Sequence, residues 1–199
     1  MSSSDSQHSS TAESPDRFTY VIVDGENIDA TLGGSVFGRR PHPEERPRWE
    51  RVTTFAAQAW GQPVKGLFFL AASNRDLPVS FIQALLAMEY RPIPLAGGTG
   101  EKVVDIGIQR TLEALAERPG DVLLASHDGD FLPQVSKLLG GDRRVGLVGF
   151  REFVNSGFVP LTEEGLELFD LERDIHAFTS PLPRIRAIPI EEFDPLAYL

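Results

Sequence analysis

Residues 20–27 read Tyr-Val-Ile-Val-Asp-Gly-Glu-Asn, and this stretch decides the fold. A β-branched run stops abruptly at Asp24, and a glycine follows at once. A buried strand of a parallel sheet has this pattern, because both of its faces are covered and its last side chains emerge at the carboxyl edge. We therefore interpret Asp24 as a carboxylate placed at the edge where open α/β sheets bind ligands.

Two further segments bring acidic residues to comparable positions. Residues 123–131, Leu-Leu-Ala-Ser-His-Asp-Gly-Asp-Phe, place Asp128 and Asp130 directly after an apolar run. Residues 101–105, Glu-Lys-Val-Val-Asp, place Asp105 in the first turn of a predicted helix. If the first and fourth strands are neighbours, all of these carboxylates meet above one sheet edge. Crowded like charges repel each other unless a cation neutralises them.

Strand and helix patterns alternate along the chain, which predicts right-handed crossovers and a mainly parallel sheet with helices on both faces. The predicted strands are Phe18–Val23, Val64–Leu70, Arg91–Leu95, Asp121–Ala125 and Val145–Phe150. The predicted helices are Trp49–Trp60, Leu77–Tyr90, Val103–Glu117 and Phe131–Leu139. Beyond them we expect a short strand at Gly157–Val159 and a last helix at Glu163–Phe169.

Composition restricts the class of protein. The 199 residues suit one domain, which we place at residues 17–178, between a disordered tail at 1–16 and an extended, proline-containing tail at 179–199. The absence of cysteine excludes disulfides and zinc–thiolate sites. With neither a signal sequence nor a membrane-spanning run, we expect a cytoplasmic protein with no membrane partner. A net charge of −10 argues against broad electrostatic capture of nucleic acid.

The acidic residues offer hard oxygen ligands, which favour Mg²⁺ or Mn²⁺ over zinc. Such a site typically serves phosphoryl transfer, because the ion polarises a phosphodiester and generates hydroxide from bound water. The alternative is that each aspartate is a turn or capping residue, since Asp-Gly turns are common in α/β proteins. Three matching segments favour the metal site over that alternative.

The chain resembles the NYN domains, a branch of the PIN-like ribonuclease superfamily, over roughly residues 18–178. The resemblance lies in Val21–Asn27, Lys102–Asp105 and Ser126–Phe131 with the following Pro133. It implies a PIN-like three-layer α/β fold and a metal-dependent nuclease site that acts on RNA. Carried over by position, the implied metal-binding and catalytic residues are Asp24, Asp105, Asp128 and Asp130. The residues implied to orient ligands or contact substrate are Asn27, Lys102 and Ser126.

Three other features of the sequence bear on RNA binding or on the acidic site. Arg75, at the exit of the second strand, is a candidate phosphate contact. The arginine-rich stretch Gly38–Trp49 either guides RNA by charge and stacking or is a solvated loop, and Glu44 and Glu45 favour the loop. His127 stands where the family more often has glycine, and we interpret it as a solvent-facing turn residue.

Two function hypotheses follow. The first is a metal-dependent ribonuclease with RNA as its substrate. The alternative is a non-catalytic regulatory or scaffold protein of the same fold that binds RNA, nucleotide or a protein partner, which the acidic composition supports. A phosphatase is a weaker choice, because the first strand ends in Asp-Gly-Glu instead of the Asp-x-Asp of aspartyl-phosphate enzymes. The apolar terminus Leu-Ala-Tyr-Leu offers a contact for the same chain or for a second subunit, and a homo-oligomer or a protein partner is compatible with the sequence.

Overall fold

A six-stranded parallel sheet forms the centre of the computed structural model, which describes residues 17–72, 77–98, 100–184 and 189–199. The strand order is β3-β2-β1-β4-β5-β6, and all five neighbouring pairs are parallel. The strands are β1 (Thr19–Asp24), β2 (Val64–Ala71), β3 (Tyr90–Leu95), β4 (Asp121–Ala125), β5 (Val145–Gly149) and β6 (Leu166–Asp170). The first and fourth strands are adjacent, as the meeting of the acidic residues requires, because β1 pairs with β4.

Five α-helices cover the two faces of this sheet within the described residues. They are α1 (Gly25–Thr31), α2 (Trp49–Trp60), α3 (Val79–Ala87), α4 (Val103–Ala116) and α5 (Leu132–Leu138). Buried side chains of α1, α2 and α3 pack in one apolar core, and those of α4 and α5 pack in the other. The predicted three-layer α/β architecture is therefore confirmed.

Alternation along β1 decides which face each of its residues serves. Val23 packs in the core with α1, α2 and α3, whereas Ile22 packs in the core with α4 and α5. Asp24 is two residues after Ile22, so its side chain also faces α4. Gly25 then turns away from that face, and a Cβ there would lie 2.5 Å from the ring of Phe68, which restricts the position to glycine.

Helix α1 was not predicted from the sequence. The Asp24 carboxylate caps it by accepting a hydrogen bond from the Asn27 backbone N–H, and the chain continues as a π-helical segment, Leu32–Phe37. Thr31 at the end of α1, and Gly33 and Gly34 in this segment, have low helix propensity and hide the helical pattern in the sequence. A capping aspartate followed by a buried Ile28 was the available signal.

The region after β5 corrects two predictions. The expected strand at Gly157–Val159 is wrong, because 3₁₀ turns occupy Ser156–Phe158 and Pro160–Thr162. The expected helix at Glu163–Phe169 is also wrong, because β6 runs from Leu166 to Asp170. Gly165 has φ +105°, which interrupts any helix there. A short apolar run fits a strand or a helix equally well by periodicity alone.

Strand β3 forms one edge of the sheet and carries two prolines, Pro92 and Pro94. The Leu95 carbonyl accepts a hydrogen bond from the N–H of Ala72, so Leu95 points its backbone groups toward the β2 side. Because backbone groups alternate along a strand, the two prolines take the positions whose N–H would face solvent.

In the C-terminal segment, Leu182 packs in the core with α1, α2 and α3. The predicted disordered tail, residues 1–16, lies outside the described residues. Residues 189–199 contain 3₁₀ turns at Ile190–Glu192 and Pro195–Tyr198. The domain boundaries at residues 17, 178 and 179 stay predictions. Among the described helices, none combines the length and the apolar character needed to cross a membrane.

Candidate metal centre

Three carboxylates meet at the carboxyl edge of the sheet. One oxygen from each of Asp105, Asp128 and Asp130 lies within 4.8 Å of the other two. Asp105 and Asp128 are half-buried, whereas Asp130 is exposed. Oxygens at these separations are close enough to share one cation, and in its absence they repel each other.

The loop after β4 is held in shape by its own side chains. Asp128 accepts a hydrogen bond from the Asp130 N–H at 2.9 Å, and the Asp128 N–H donates to Ser126 Oγ at 3.2 Å. Across the gap, Asp105 lies in the first turn of α4, whose rotation is fixed by a buried stripe. That stripe consists of Val104, Ile108, Leu112 and Leu115.

Asp24 lies beneath this cluster and is 2 % exposed. Its carboxylate accepts hydrogen bonds from the Asn27 N–H at 3.2 Å and from Ser126 Oγ at 3.0 Å. Burial, with smaller contributions from the negative charges of Asp105 and Asp128, raises the pKa of the Asp24 carboxyl to about 6. Ser126 therefore connects Asp24 to the Asp128 loop, and a cation near these groups would favour the ionised form of Asp24.

Lys102 is the cation of this cluster among the described residues. Its Nζ lies 3.0 Å from Asp130 Oδ2 and 3.3 Å from Asp105 Oδ2. Hydrogen bonds to Asp130 and Asp105 raise the pKa of the Lys102 ammonium. The side chain is 67 % exposed, so it is free to move away from the carboxylates when another cation binds.

The prediction that His127 faces solvent is wrong, because its side chain is buried. Its ring stacks on Phe150 with centroids 5.5 Å apart, and its Nε2 accepts a hydrogen bond from the Phe150 N–H at 2.7 Å. Its Nδ1 lies 2.9 Å from Asn27 Oδ1. Nε2 must therefore be unprotonated and Nδ1 must donate, which leaves no free nitrogen for a metal.

Asn27 was predicted to orient ligands or phosphate, and the structure shows what its side chain contacts. Its Oδ1 also accepts a hydrogen bond from the backbone N–H of His127 at 2.9 Å. This pair of contacts connects the start of α1 to the loop after β4. Asn27 thus holds two segments of the site in register.

One supporting residue was missed at the sequence level. The backbone N–H of Asn155 donates to the His127 carbonyl at 3.3 Å, and its side chain packs on Gly129, where a Cβ would lie 2.5 Å from Asn155 Nδ2. Asn155 therefore supports the Asp-Gly-Asp loop from beyond β5. The turn-forming Asn-Ser-Gly sequence after that strand was the available signal.

Two further RNA contacts were considered from the sequence, one at Arg75 and one in the stretch Gly38–Trp49. Arg75 lies outside the described residues. Trp49 is 4 % exposed and packs against Phe68, so the proposal that its ring stacks on RNA at the surface is wrong. A solvated loop with a 3₁₀ turn at Pro43–Glu45 precedes α2, as the alternative interpretation predicted.

Comparison with known proteins identifies the family. The NYN domain model matches residues 18–161. The chain belongs to the NYN domain family. The match spans β1 to the 3₁₀ turn before β6, so it includes every residue of the acidic cluster. NYN domains are generally ribonucleases of PIN-like fold, and this NYN domain has a cluster of three aspartates.

A solved structure supports the same fold. The chain is similar to the crystal structure of a protein of unknown function from Vibrio parahaemolyticus, with a TM-score of 0.60 and 16% sequence identity. The similarity covers 80% of this chain and 96% of that protein. At this identity the likeness concerns the fold alone. No curated protein is significantly similar to this NYN domain in sequence.

Proposed function

We propose that this NYN domain is a metal-dependent ribonuclease that hydrolyses RNA phosphodiester bonds. The observation that supports the proposal is the meeting of Asp105, Asp128 and Asp130 within 4.8 Å beside a buried fourth carboxylate, Asp24. Four acidic residues at one ligand-binding edge repel each other, and the single charge of Lys102 offsets only part of that repulsion, which a divalent cation would relieve.

The residues present fit Mg²⁺ or Mn²⁺. The donors are carboxylate oxygens, the chain has no cysteine, and His127 is committed to Asn27 and Phe150. Oxygen ligands without sulfur or nitrogen suit these hard cations. A divalent ion held there supplies Lewis acidity toward a phosphate and lowers the pKa of water.

The other side chains position these carboxylates and the RNA. Ser126 holds the Asp24 carboxylate through its hydroxyl, and Asn27 fixes the loop that carries Asp128. We assign both residues to orienting the site around the bound phosphate. Lys102, once displaced from the carboxylates, reaches the RNA backbone with its exposed ammonium. Arg75 is assigned to a second phosphate contact.

Cleavage assays with the intact protein test the proposal. Wild type and Asp24→Asn are incubated with structured and unstructured RNAs in Mn²⁺, Mg²⁺ or EDTA. We expect cleavage by wild type in metal, and none in EDTA or by the variant, because Asp24→Asn removes one negative ligand without removing its hydrogen-bonding capacity. Asp142→Asn, an exposed change before β5 at the opposite end of the sheet, serves as the control.

The contrary outcomes are equally specific. Full activity of Asp24→Asn would refute the assignment of the metal site. Absence of cleavage by wild type, together with RNA binding that needs no metal, would favour a non-catalytic RNA-binding or scaffold role. Mass measurement in the same samples tests for a homo-oligomer. A cytoplasmic location stays a prediction.

A further inference from the structure

A cavity opens at the same sheet edge, on the face opposite the acidic cluster. Its volume is about 450 Å³, which lies in the range of small-molecule sites. Gly25 and Glu26, the two residues that follow Asp24, line it. The start of α1, next to Asp24, therefore forms part of the cavity wall.

The apolar part of this cavity is aromatic. Trp49 and Phe68 form a buried floor with ring centroids 5.3 Å apart, and the half-buried Phe81 packs edge-on against Phe68 at 5.3 Å. Pro78 adds an exposed wall. A planar heteroaromatic ring is the ligand that such surfaces bind best, because stacking and edge contacts both use its π-system.

The polar part contains two acids and two arginines. Glu26 is held by the Ala71 N–H, which donates to its Oε1 at 3.0 Å. Arg46 pairs with Asp29 at 2.9 Å, yet its Nε is buried and has no hydrogen-bond partner within the described part of the chain. Arg46 thus has a donor group that its pairing with Asp29 does not use, and an acceptor in the cavity would pair with this side chain.

We propose that this cavity binds the guanine base of an unpaired RNA nucleotide next to the phosphate that is cleaved. This inference rests on the proposed ribonuclease function. The base lies against Phe81, its N1–H and N2–H groups donate to Glu26, and its O6 and N7 accept from Arg46.

Guanine matches this polar set better than the other bases do. Its Watson–Crick edge has two adjacent donors, which a carboxylate accepts together, and its other edge has two acceptors, which suit an arginine. Adenine and cytosine each offer one amino group beside an acceptor, and uracil places acceptors on both sides of its one donor. Facing Glu26, these bases leave charges or donors unpaired.

Charge and accessibility indicate a single-stranded ligand. A base enters a cavity only when it is unstacked, as in loops and single strands of RNA. Arg40 lines the same cavity, is exposed, and carries the charge needed for the nucleotide's phosphate. From there the RNA chain runs past the start of α1 toward Asp24.

Nucleotide binding in EDTA tests this site without requiring cleavage. GMP, AMP, CMP and UMP are titrated into wild-type protein, and binding is measured by calorimetry and by tryptophan fluorescence. Trp49 lines the cavity, whereas Trp60 lies at the other end of α2 and gives a constant background. We expect GMP to bind about tenfold more tightly than the others.

Substitutions in the cavity test whether GMP binds there. Glu26→Gln keeps an acceptor for the Ala71 N–H, and Phe81→Leu keeps an apolar side chain, so both preserve the fold while weakening GMP binding about tenfold. Glu113→Gln on α4 and Phe55→Leu, whose ring packs on Phe169, are matched changes outside the cavity and leave binding unchanged. Equal affinity for the four nucleotides, or wild-type affinity in Glu26→Gln, would overturn the inference.

The two proposals fail separately. Cleavage of unpaired RNA without preference for guanosine would refute the guanine site and leave the ribonuclease. Selective GMP binding without cleavage in any metal would refute the ribonuclease and leave the guanine site. Cuts that map beside unpaired guanosines, lost in Glu26→Gln, would support both.

Discussion

The two ends of β4 place aspartates in opposite circumstances. Asp121, where the strand begins, is 1 % exposed and fully partnered. It accepts hydrogen bonds from Arg17 at 2.6 Å, from the Arg144 N–H at 2.9 Å and from Gln62. Asp128, just beyond the end of the strand, faces two other carboxylates and accepts a hydrogen bond from its own loop.

This difference separates aspartates that serve the fold from those available to a ligand. Asp170, which ends β6, resembles Asp121, because it accepts hydrogen bonds from the N–H groups of Arg151, Glu172 and Arg173. Position at the end of a strand is therefore not sufficient to indicate a metal ligand. The partners supplied by the rest of the chain decide the role.

Neutralisation of Asp128 should have the largest effect on activity and little effect on stability. We expect Asp128→Asn to lower the cleavage rate roughly 10³-fold, because a charged ligand to the metal is lost. Without metal, the free energy of unfolding of the variant should lie within about 0.5 kcal/mol of the wild-type value, since the change relieves repulsion. Single-turnover cleavage and urea denaturation in EDTA measure the two effects, and Asp142→Asn is the control. Destabilisation without loss of activity would show that Asp128 serves the fold.

Removal of Asp121 should give the reverse result. Asp121→Ala leaves Arg17, Gln62 and the Arg144 N–H without their acceptor, so we expect a loss of about 3 kcal/mol in the free energy of unfolding. Urea denaturation with and without Mn²⁺ measures it. Asp142→Ala provides a matched exposed change. A loss below about 1 kcal/mol would contradict the structural role.

Acid should destabilise the carboxyl end through His127. Burial lowers the pKa of its imidazole to about 4, and Nε2 accepts the Phe150 N–H. The unfolded chain binds the proton near pH 6.5, so the contribution of His127 to stability falls by about 2 kcal/mol between pH 7 and pH 5. The raised pKa of Asp24 has the opposite effect over this range, so the His127 contribution is the difference between wild type and the His127→Gln variant. Urea denaturation at the two pH values tests this, with His127→Gln lacking the loss. A His127 NMR titration near pH 6.5 in the folded protein would refute it.

The smallest effect concerns the cation already within the acidic cluster. We expect Lys102→Met to bind Mn²⁺ several-fold more tightly, because the ammonium no longer competes for Asp105 and Asp130. Calorimetry with Mn²⁺ alone measures it, and Lys137→Met on α5 is the control. RNA affinity should fall in the same variant, since a phosphate contact is lost. Unchanged Mn²⁺ affinity would mean that Lys102 does not compete with the metal.

Strong local patterns made much of the fold predictable. The runs before Asp24 and Ser126 read as buried strands because both faces of a parallel strand are covered. The position of Asp105 in the first turn of α4 followed from the apolar stripe of that helix. Helix α1 and β6 were missed or mistaken because their apolar residues are few and fit more than one period.

The partners of each side chain were less predictable than its position. His127 is buried because Phe150 and Asn27, both distant in sequence, contact its ring. Likewise, the aromatic cavity is assembled from segments that include Gly25, Trp49 and Phe81, and no single stretch contains its pattern. Contacts of this kind depend on how elements pack, which periodicity does not specify.

The prolines of β3 have a consequence for how this protein meets other chains. With Pro92 and Pro94 at its solvent-facing backbone positions, this border of the sheet offers carbonyls but lacks the donors that a seventh strand needs. Strand addition, the common route from an open sheet to amyloid-like aggregates or sheet-to-sheet dimers, is blocked there. A strand added to this sheet would therefore have to pair with β6, at the opposite border.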